Sequence, residues 1–165
     1  MKKLLLLTGV CAVLVCASAY AAEPITTAFV DSAGQTIGTA TLQEMKDGTL
    51  ITVDLQLPEG THAMHVHENG KCDAPDFKTA GGHFNPTHHK HGYESAAGYH
   101  AGDLPNLYVE STGHVKAEVF STHLRLTGKN ALSQGAIVIH EKADDYSTDP
   151  SGNAGGRIAC AVIKP

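Results

Sequence analysis

The stretch TLITVDLQL, residues 49–57, sets Leu50, Thr52, Asp54 and Gln56 against Ile51, Val53, Leu55 and Leu57. A period of two marks a half-buried strand, because successive side chains on an extended backbone point to opposite faces. Short runs rich in Val, Ile, Thr and Tyr recur along the chain: ITTAFV, TIGTATL, AMHVHE, NLYVE, HVKAEVF, AIVIHE and RIACAVI. Turn signals such as SAGQ, KDG, PEG, STGH and TGKN separate them. No stretch keeps a helical period over three turns. About eight short strands at this spacing predict an all-β fold, an antiparallel sandwich or barrel. Without an internal repeat or a low-complexity linker, residues 22–165 read as one domain. Two long stretches, residues 72–106 and 141–156, carry no strand pattern. Loops of that length inside a small domain are usually functional or disordered.

The first 21 residues stand apart. MKK is a basic start, LLLLTGVCAVLVCAS an apolar run and AYA a small-x-small cleavage signal, so residues 1–21 read as a signal peptide removed after Ala21 or Ala22. The apolar run is short for a spanning helix. A retained anchor, or lipid attachment at Cys11 or Cys16, is the less favoured reading, since Val precedes each cysteine where a small residue is expected. Loss of Lys2 and Lys3 leaves 10 basic against 17 acidic residues and a formal charge of −7. That charge argues against nucleic acid or an acidic membrane as partner. The mature chain keeps two cysteines, Cys72 and Cys160. In an oxidising compartment an isolated pair reads as a disulfide, worth about 4–5 kcal/mol for so long a loop in the chain-entropy picture; two buried free thiols are the alternative.

The histidines decide what the loops are for. There are eleven of them. His65 and His67 lie two apart on a strand and so share a face. His83, His91, His100 and Asp103 are spread through the first long loop, and His140 ends the apolar run AIVIH. One histidine is ordinarily a packed or solvated residue, but six with a carboxylate among them suit metal ligation. Two four-ligand metals need eight contacts, and seven residues supply them if one imidazole uses both ring nitrogens. A water could equally fill the last position.

The motifs HVHE, GGHFNP, HAGDLPN, VIHEKADD and GNAGGRIACAVI, in this order over residues 62–163, resemble the copper–zinc superoxide dismutase family. The signal peptide and the short step from His67 to Cys72 resemble its secreted bacterial branch. The resemblance implies an eight-stranded Greek-key β-barrel with two long functional loops, holding one copper and one zinc per subunit. It implies His65, His67, His83 and His140 as copper ligands, with His83 bridging to a zinc that His91, His100 and Asp103 complete. It implies Arg157 beside the copper channel, Asp144 hydrogen-bonded to one ligand of each metal, and Cys72 and Cys160 as a disulfide tying the first loop to the last strand. The implied activity converts superoxide to oxygen and hydrogen peroxide by a copper redox cycle, with Arg157 and His83 as catalytic groups and the zinc structural. The implied place is the periplasm or the exterior, as antioxidant defence, in a monomer or homodimer that binds neither nucleic acid nor, stably, membrane. The competing reading is an exported metal carrier of the same fold without turnover; the intact ligand set and Arg157 weigh against it.

Some residues depart from the family pattern. The loop EKADDYSTDPSGNAGG is shorter than in the eukaryotic branch and keeps only Lys142 as a base. Lys71, Lys78 and Lys90 are therefore the candidates for substrate steering, with solvated surface charge as the bland alternative. His62, His88, His89, His114 and His123 match no ligand. His88 and His89, beside His91, read as a weak metal-acquisition site or as polar loop.

Overall fold

The structure, a computed structural model, describes residues 23–164. The expected signal peptide and its cleavage point lie outside the described residues. Among the described residues nine strands form: β1 (Ile25–Asp31), β2 (Thr36–Met45), β3 (Gly48–Gln56), β4 (Gly60–His62), β5 (Met64–His67), β6 (Leu107–Val109), β7 (His114–Ser121), β8 (Gly135–His140) and β9 (Arg157–Ile163). The only helical turn among the described residues is a 3₁₀ turn at Lys78–Ala80. No helix there is long and apolar enough to cross a membrane.

One strand more than the sequence suggested arises at Ala63. Residues 60–67 run extended, but Ala63 leaves the ladder to bond the Lys142 carbonyl, and the segment splits. Its first half, β4, pairs with β6, and its second half, β5, pairs with β8.

A seven-stranded antiparallel sheet runs in the order β5-β8-β9-β1-β2-β3-β7, and β4-β6 form a separate pair. The neighbours are non-consecutive where Greek-key connections cross over. Curling this sheet buries one face of each strand. In β3 the inward set is Ile51, Val53 and Leu55, all essentially sealed from solvent, as the alternation predicted. Phe29, Leu42, Met64, Val66, Ile137, Ile139 and Ile163 fill the same interior. Both faces of β5 and β8 are covered, because the two long loops fold over the outside of these strands. Cys72 and Cys160 form a disulfide with Cα atoms 5.7 Å apart, beside Phe77, Ala80, Ala136 and Val138. It fixes the start of the first loop to β9.

Candidate metal centre

Strand β5 supplies the rigid part of the site. His65 and His67 leave it on the same side, towards the long loop rather than the barrel core. The loop pairs against the free edge of β5 at His65↔Asp103 and His67↔His83. Gly102 permits this approach, since a Cβ there would overlap the Val66 carbonyl oxygen. On the other side of β5, β8 delivers His140 at a register shift after Ile139. Such irregularities re-aim a side chain out of its strand alternation. The His140 N–H donates to the Ala63 carbonyl at 2.9 Å.

Two groups of ligating atoms result. In the first, one ring nitrogen each from His65, His67, His83 and His140 lies within 4.8 Å of the others. All four rings are buried, and four nitrogens have no hydrogen-bond partner: His65 Nδ1, His67 Nε2, His83 Nε2 and His140 Nε2. Leaving a buried polar atom unpaired costs about 1–3 kcal/mol, so four at one point call for a shared partner. The opposite nitrogens of three rings are held: His65 Nε2 by Asp144 Oδ2 at 2.8 Å, His67 Nδ1 by the Gly81 carbonyl at 2.9 Å, and His140 Nδ1 by the Gly155 carbonyl at 3.5 Å. Those contacts fix ring orientation and tautomer, as expected of metal-ligating imidazoles.

The second group centres on Asp103. Its Oδ1 lies 2.9 Å from His83 Nδ1, 3.0 Å from His91 Nδ1 and 3.2 Å from His100 Nδ1. His83 and His100 approach each other through their Nδ1 atoms at 3.2 Å. Atoms of His65, His83, His91 and Asp103 also fall within 4.8 Å of one another. His65, however, has Nε2 on Asp144 and Nδ1 in the first group, which leaves His100 as the better fourth member. His83 faces both groups, with Nδ1 in one and Nε2 in the other.

Asp144 joins the groups from behind. Oδ2 accepts from His65 Nε2, and Oδ1 accepts from His91 Nε2 at 2.9 Å and from the Tyr146 N–H at 2.7 Å. Gly152, at φ +64, passes so close that a Cβ would overlap Asp144 Oδ1. Asn106 clamps the Asp144 backbone: Nδ2 donates to the Asp144 carbonyl at 3.0 Å, and Oδ1 accepts its N–H at 2.8 Å.

Electrostatics separate the two groups. Burial pushes His67 well below its ordinary range, His83 to about 4 and His140 to about 3, and lowers His65 against the opposing pull of Asp144. These rings are neutral at physiological pH, the form that ligates a metal. In the second group burial opposes charge too, but Asp103 and Asp144 overcome it and raise His91 to about 9. The histidines around it hold Asp103 well below the usual carboxylate range despite its burial.

Arg157, the first residue of β9, is half-buried beside a cleft of about 290 Å³ that reaches His67, His83 and His140. Its Nη1 donates to the Phe77 carbonyl and its Nη2 to the Gly81 carbonyl, each at 2.7 Å. Phe77 takes the left-handed conformation, φ 53, to present that carbonyl. The disulfide three residues along β9 anchors the same loop, so guanidinium and loop are positioned together.

All seven expected ligands therefore gather on the outer side of β5 and β8 under the first long loop, with Arg157 and Asp144 against them. Lys71, Lys78, Lys90 and Lys142 are exposed; Lys78 pairs with Asp76 at 2.9 Å. His88 is exposed, and His89 Nδ1 lies 3.2 Å from the Tyr99 carbonyl; neither joins the two groups. Sequence reasoning gave no role to Asn106, Gly152 or the carbonyls of Phe77 and Gly81. It also gave none to His62, which is buried with Nδ1 2.8 Å from the His140 carbonyl and Nε2 3.0 Å from that of Pro58. Backbone carbonyls carry no side-chain signal. Asn106 lies inside HAGDLPN, where a polar residue after Pro reads as a turn.

Residues 36–163 match the family Copper/zinc superoxide dismutase (SODC). A copper–zinc superoxide dismutase of Aquifex aeolicus is 46% identical over 142 residues, covering 82% of this chain and 84% of that one. One from Caulobacter vibrioides is 37% identical over 139 residues, 79% of this chain and 80% of its own. Among solved structures, a double mutant of a SOD-like protein from Bacillus subtilis aligns with a TM-score of 0.81 at 38% identity, covering 85% of this chain and 97% of that one. The Cu/Zn superoxide dismutase from Brucella abortus aligns at 0.72 and 33%, covering 86% and 100%. With a β-barrel, two histidine groups sharing one ring and a family match over more than three quarters of its length, this chain belongs to the copper/zinc superoxide dismutase family.

Proposed function

We propose that this chain dismutes superoxide to oxygen and hydrogen peroxide with copper in the first histidine group and zinc in the second. The observation that carries the assignment is the convergence of four buried ring nitrogens that lack any hydrogen-bond partner. Nitrogen-rich surroundings suit copper, and three imidazoles with one carboxylate suit a closed zinc site. Bound copper supplies one-electron oxidation and reduction, and bound zinc supplies a fixed positive charge.

The chain's own residues do the rest. Arg157 places a permanent charge at the cleft mouth, where it attracts and orients a small anion. The overall negative charge of the mature chain makes that local charge the main attraction. The cleft, about 290 Å³, has ample room for a diatomic anion. His83 Nε2 is the atom suited to take a proton and hand it on, because it faces the first group without a hydrogen-bond partner while Nδ1 is anchored on the other side. His65 and His67 keep their orientation through Asp144 and Gly81, so the site changes little in shape between turns of the cycle.

We further infer export to the periplasm or exterior, as supported by the sequence of residues 1–21 and by the Cys72–Cys160 disulfide, which persists in oxidising compartments. His140→Ala tests the assignment. Copper binding and superoxide decay followed by stopped flow should both be lost, with zinc retained. Loss of zinc with copper retained would show the groups to be reversed. Arg157→Glu should slow decay and change its salt dependence while copper stays bound; an unchanged rate would remove Arg157 from the cleft.

A further inference from the structure

We propose that Tyr93, Tyr99 and Tyr146 form a redox relay, which draws a one-electron oxidation away from the ligand histidines and delivers it to solvent beside His123. The relay rests on the functional reading above only for the source of the oxidant, hydrogen peroxide. Apart from Tyr20, which lies outside the described residues, the chain has four tyrosines, and it has no tryptophan. Cys72 and Cys160 are paired with each other. A phenol then loses an electron more readily than the other side chains present, imidazole included. Three of the four phenols gather at one place, against the second histidine group.

The rings touch in series. Tyr93 and Tyr146 stack with centroids 5.2 Å apart, Tyr99 meets Tyr93 edge-on at 4.7 Å, and His123 meets Tyr99 at 4.5 Å. These are preferred arrangements for aromatic pairs, and rings this close pass an electron faster than the same length of backbone does. The inner end is joined to the ligands. Tyr93 Oη donates to the Asp103 carbonyl at 3.0 Å, and Asp103 Oδ1 faces His83, His91 and His100. The Tyr146 N–H donates to Asp144 Oδ1, which also accepts from His91. The outer end is open, with Tyr99 half-buried and His123 exposed.

The backbone is bent to make the stack. Tyr146 takes φ 60, a left-handed conformation that is costly for a bulky side chain. The Glu94 N–H donates to its carbonyl at 3.1 Å, and at Gly92 a Cβ would overlap that carbonyl. Strain of this kind persists only where the surroundings over-determine it, and it clusters at functional places.

Atoms and electrons balance along this path. Hydrogen peroxide that gains one electron splits into hydroxide and a hydroxyl radical. That radical takes one electron from an imidazole of the site and, with a proton, becomes water. The imidazole regains its electron from Tyr93, and Tyr93 from Tyr99. Tyr99 gives its phenolic proton to water and is left as a neutral phenoxyl radical. A small one-electron reductant, superoxide among them, returns the electron. A proton comes back from water, and superoxide leaves as oxygen.

The test uses mature, metal-loaded protein carrying Tyr108→Phe, which removes the fourth and most exposed phenol, 73% exposed. The protein is treated with hydrogen peroxide. Peptide mass spectrometry reads which side chains gain oxygen, and spin trapping reads phenoxyl radicals. Oxidation is expected at Tyr99, with the ligand histidines largely spared. Tyr93→Phe keeps the ring and cuts the path, so oxidation at Tyr99 should fall severalfold while that of His83, His91 and His100 rises severalfold. If Tyr93→Phe lowers zinc content before peroxide is added, Tyr99→Phe cuts the path farther out. Histidine oxidation should again rise, with the trapped radical now on Tyr93. Equal histidine oxidation with and without the tyrosines overturns the proposal, as does Tyr99 oxidation that Tyr93→Phe leaves unchanged. Absence of superoxide decay before peroxide is added would instead overturn the functional reading.

Discussion

The two histidine groups share a ring yet are built on opposite principles. The first group, proposed for copper, hangs on strands: His65 and His67 on β5, His140 at the end of β8. The second group, proposed for zinc, hangs on a loop: His83, His91, His100 and Asp103 lie outside the strands. In the strand group the ligating nitrogens are unpaired and the rings neutral. In the loop group each nitrogen finds Asp103 and charge is retained. Strands hold an unsatisfied arrangement in place because the ladder fixes the backbone independently of the side chains. The loop is tied to β5 only beside His83 and Asp103, so His91 and His100 are held chiefly through Asp103. The difference teaches that the Asp103 carboxylate is the keystone among the ligands of one site, while the other uses a carboxylate only from behind, Asp144 on His65.

Removing the keystone tests that contrast most severely. Asp103→Ala leaves three buried rings without their shared acceptor, His91 among them with its raised affinity for a proton. Breaking such a buried network costs about 3–5 kcal/mol. Chemical denaturation of the metal-free variant should show that loss, and metal analysis of the reconstituted protein should find no zinc. By contrast His140→Ala, which removes a ring whose Nε2 satisfied nothing, should change metal-free stability far less. Equal losses from the two substitutions would erase the distinction.

Acidity should separate the groups next. His91 is raised to about 9, so in the metal-free protein it holds a proton at neutral pH. The stabilisation from that proton is complete below the ordinary histidine value and fades as pH rises through 9. Zinc must displace it, so zinc affinity should fall by about tenfold for each unit that pH drops below 9, a thousandfold from 8 to 5. The copper group has no such proton to lose: burial keeps His83 neutral down to about 4 and His140 to about 3. Its affinity should stay nearly flat over the same range. Competition titrations at several pH values read both slopes, and parallel slopes would contradict the assignment of charge.

Asp144→Asn sharpens the comparison at the point where the groups meet. Asp144 Oδ1 accepts two donors, His91 Nε2–H and the Tyr146 N–H, while Oδ2 accepts one, from His65. An amide would therefore keep its oxygen towards His91 and turn its nitrogen towards His65, donor against donor. Losing such a supporting partner typically costs about 10–100-fold in metal affinity. The loss should fall on copper, with zinc nearly spared. A larger loss of zinc would show that the amide is oriented the other way.

The two groups also differed in how far they could be read from sequence. The strands were legible because alternation is local: β3 and its inward residues follow from nine letters. His65 and His67 were legible for the same reason. The break at Ala63 was not, because AMHVHE reads as a strand that starts at Ala63, and the split from β4 depends on a carbonyl, that of Lys142, far along the chain. The loop ligands follow no period at all. Counting histidines suggested that His83, His91 and His100 mattered, and only the resemblance of the motifs assigned them. What holds Arg157 was invisible, since the groups that bind it are the backbone carbonyls of Phe77 and Gly81.

Asn106 is the subtlest of these unread residues and should give the smallest effect. It touches no candidate ligand. It holds the Asp144 peptide by one donated and one accepted bond, and its own N–H donates to Tyr146 Oη at 2.8 Å. Asn106→Ala frees a buried N–H and a carbonyl, a cost of about 1–3 kcal/mol if no water replaces the amide. Unlike Asp144→Asn it leaves the carboxylate intact, and the carboxylate then shifts as a unit. Copper and zinc affinity should therefore fall together, each by less than about tenfold, the lower edge of what supporting-residue losses produce. Metal competition on the variant decides between two accounts of Asp144. Matched small losses mean that it acts as one rigid brace between a strand-built site and a loop-built one. A loss confined to zinc means that the brace is anchored by β5 through His65, and that Asn106 serves the loop alone.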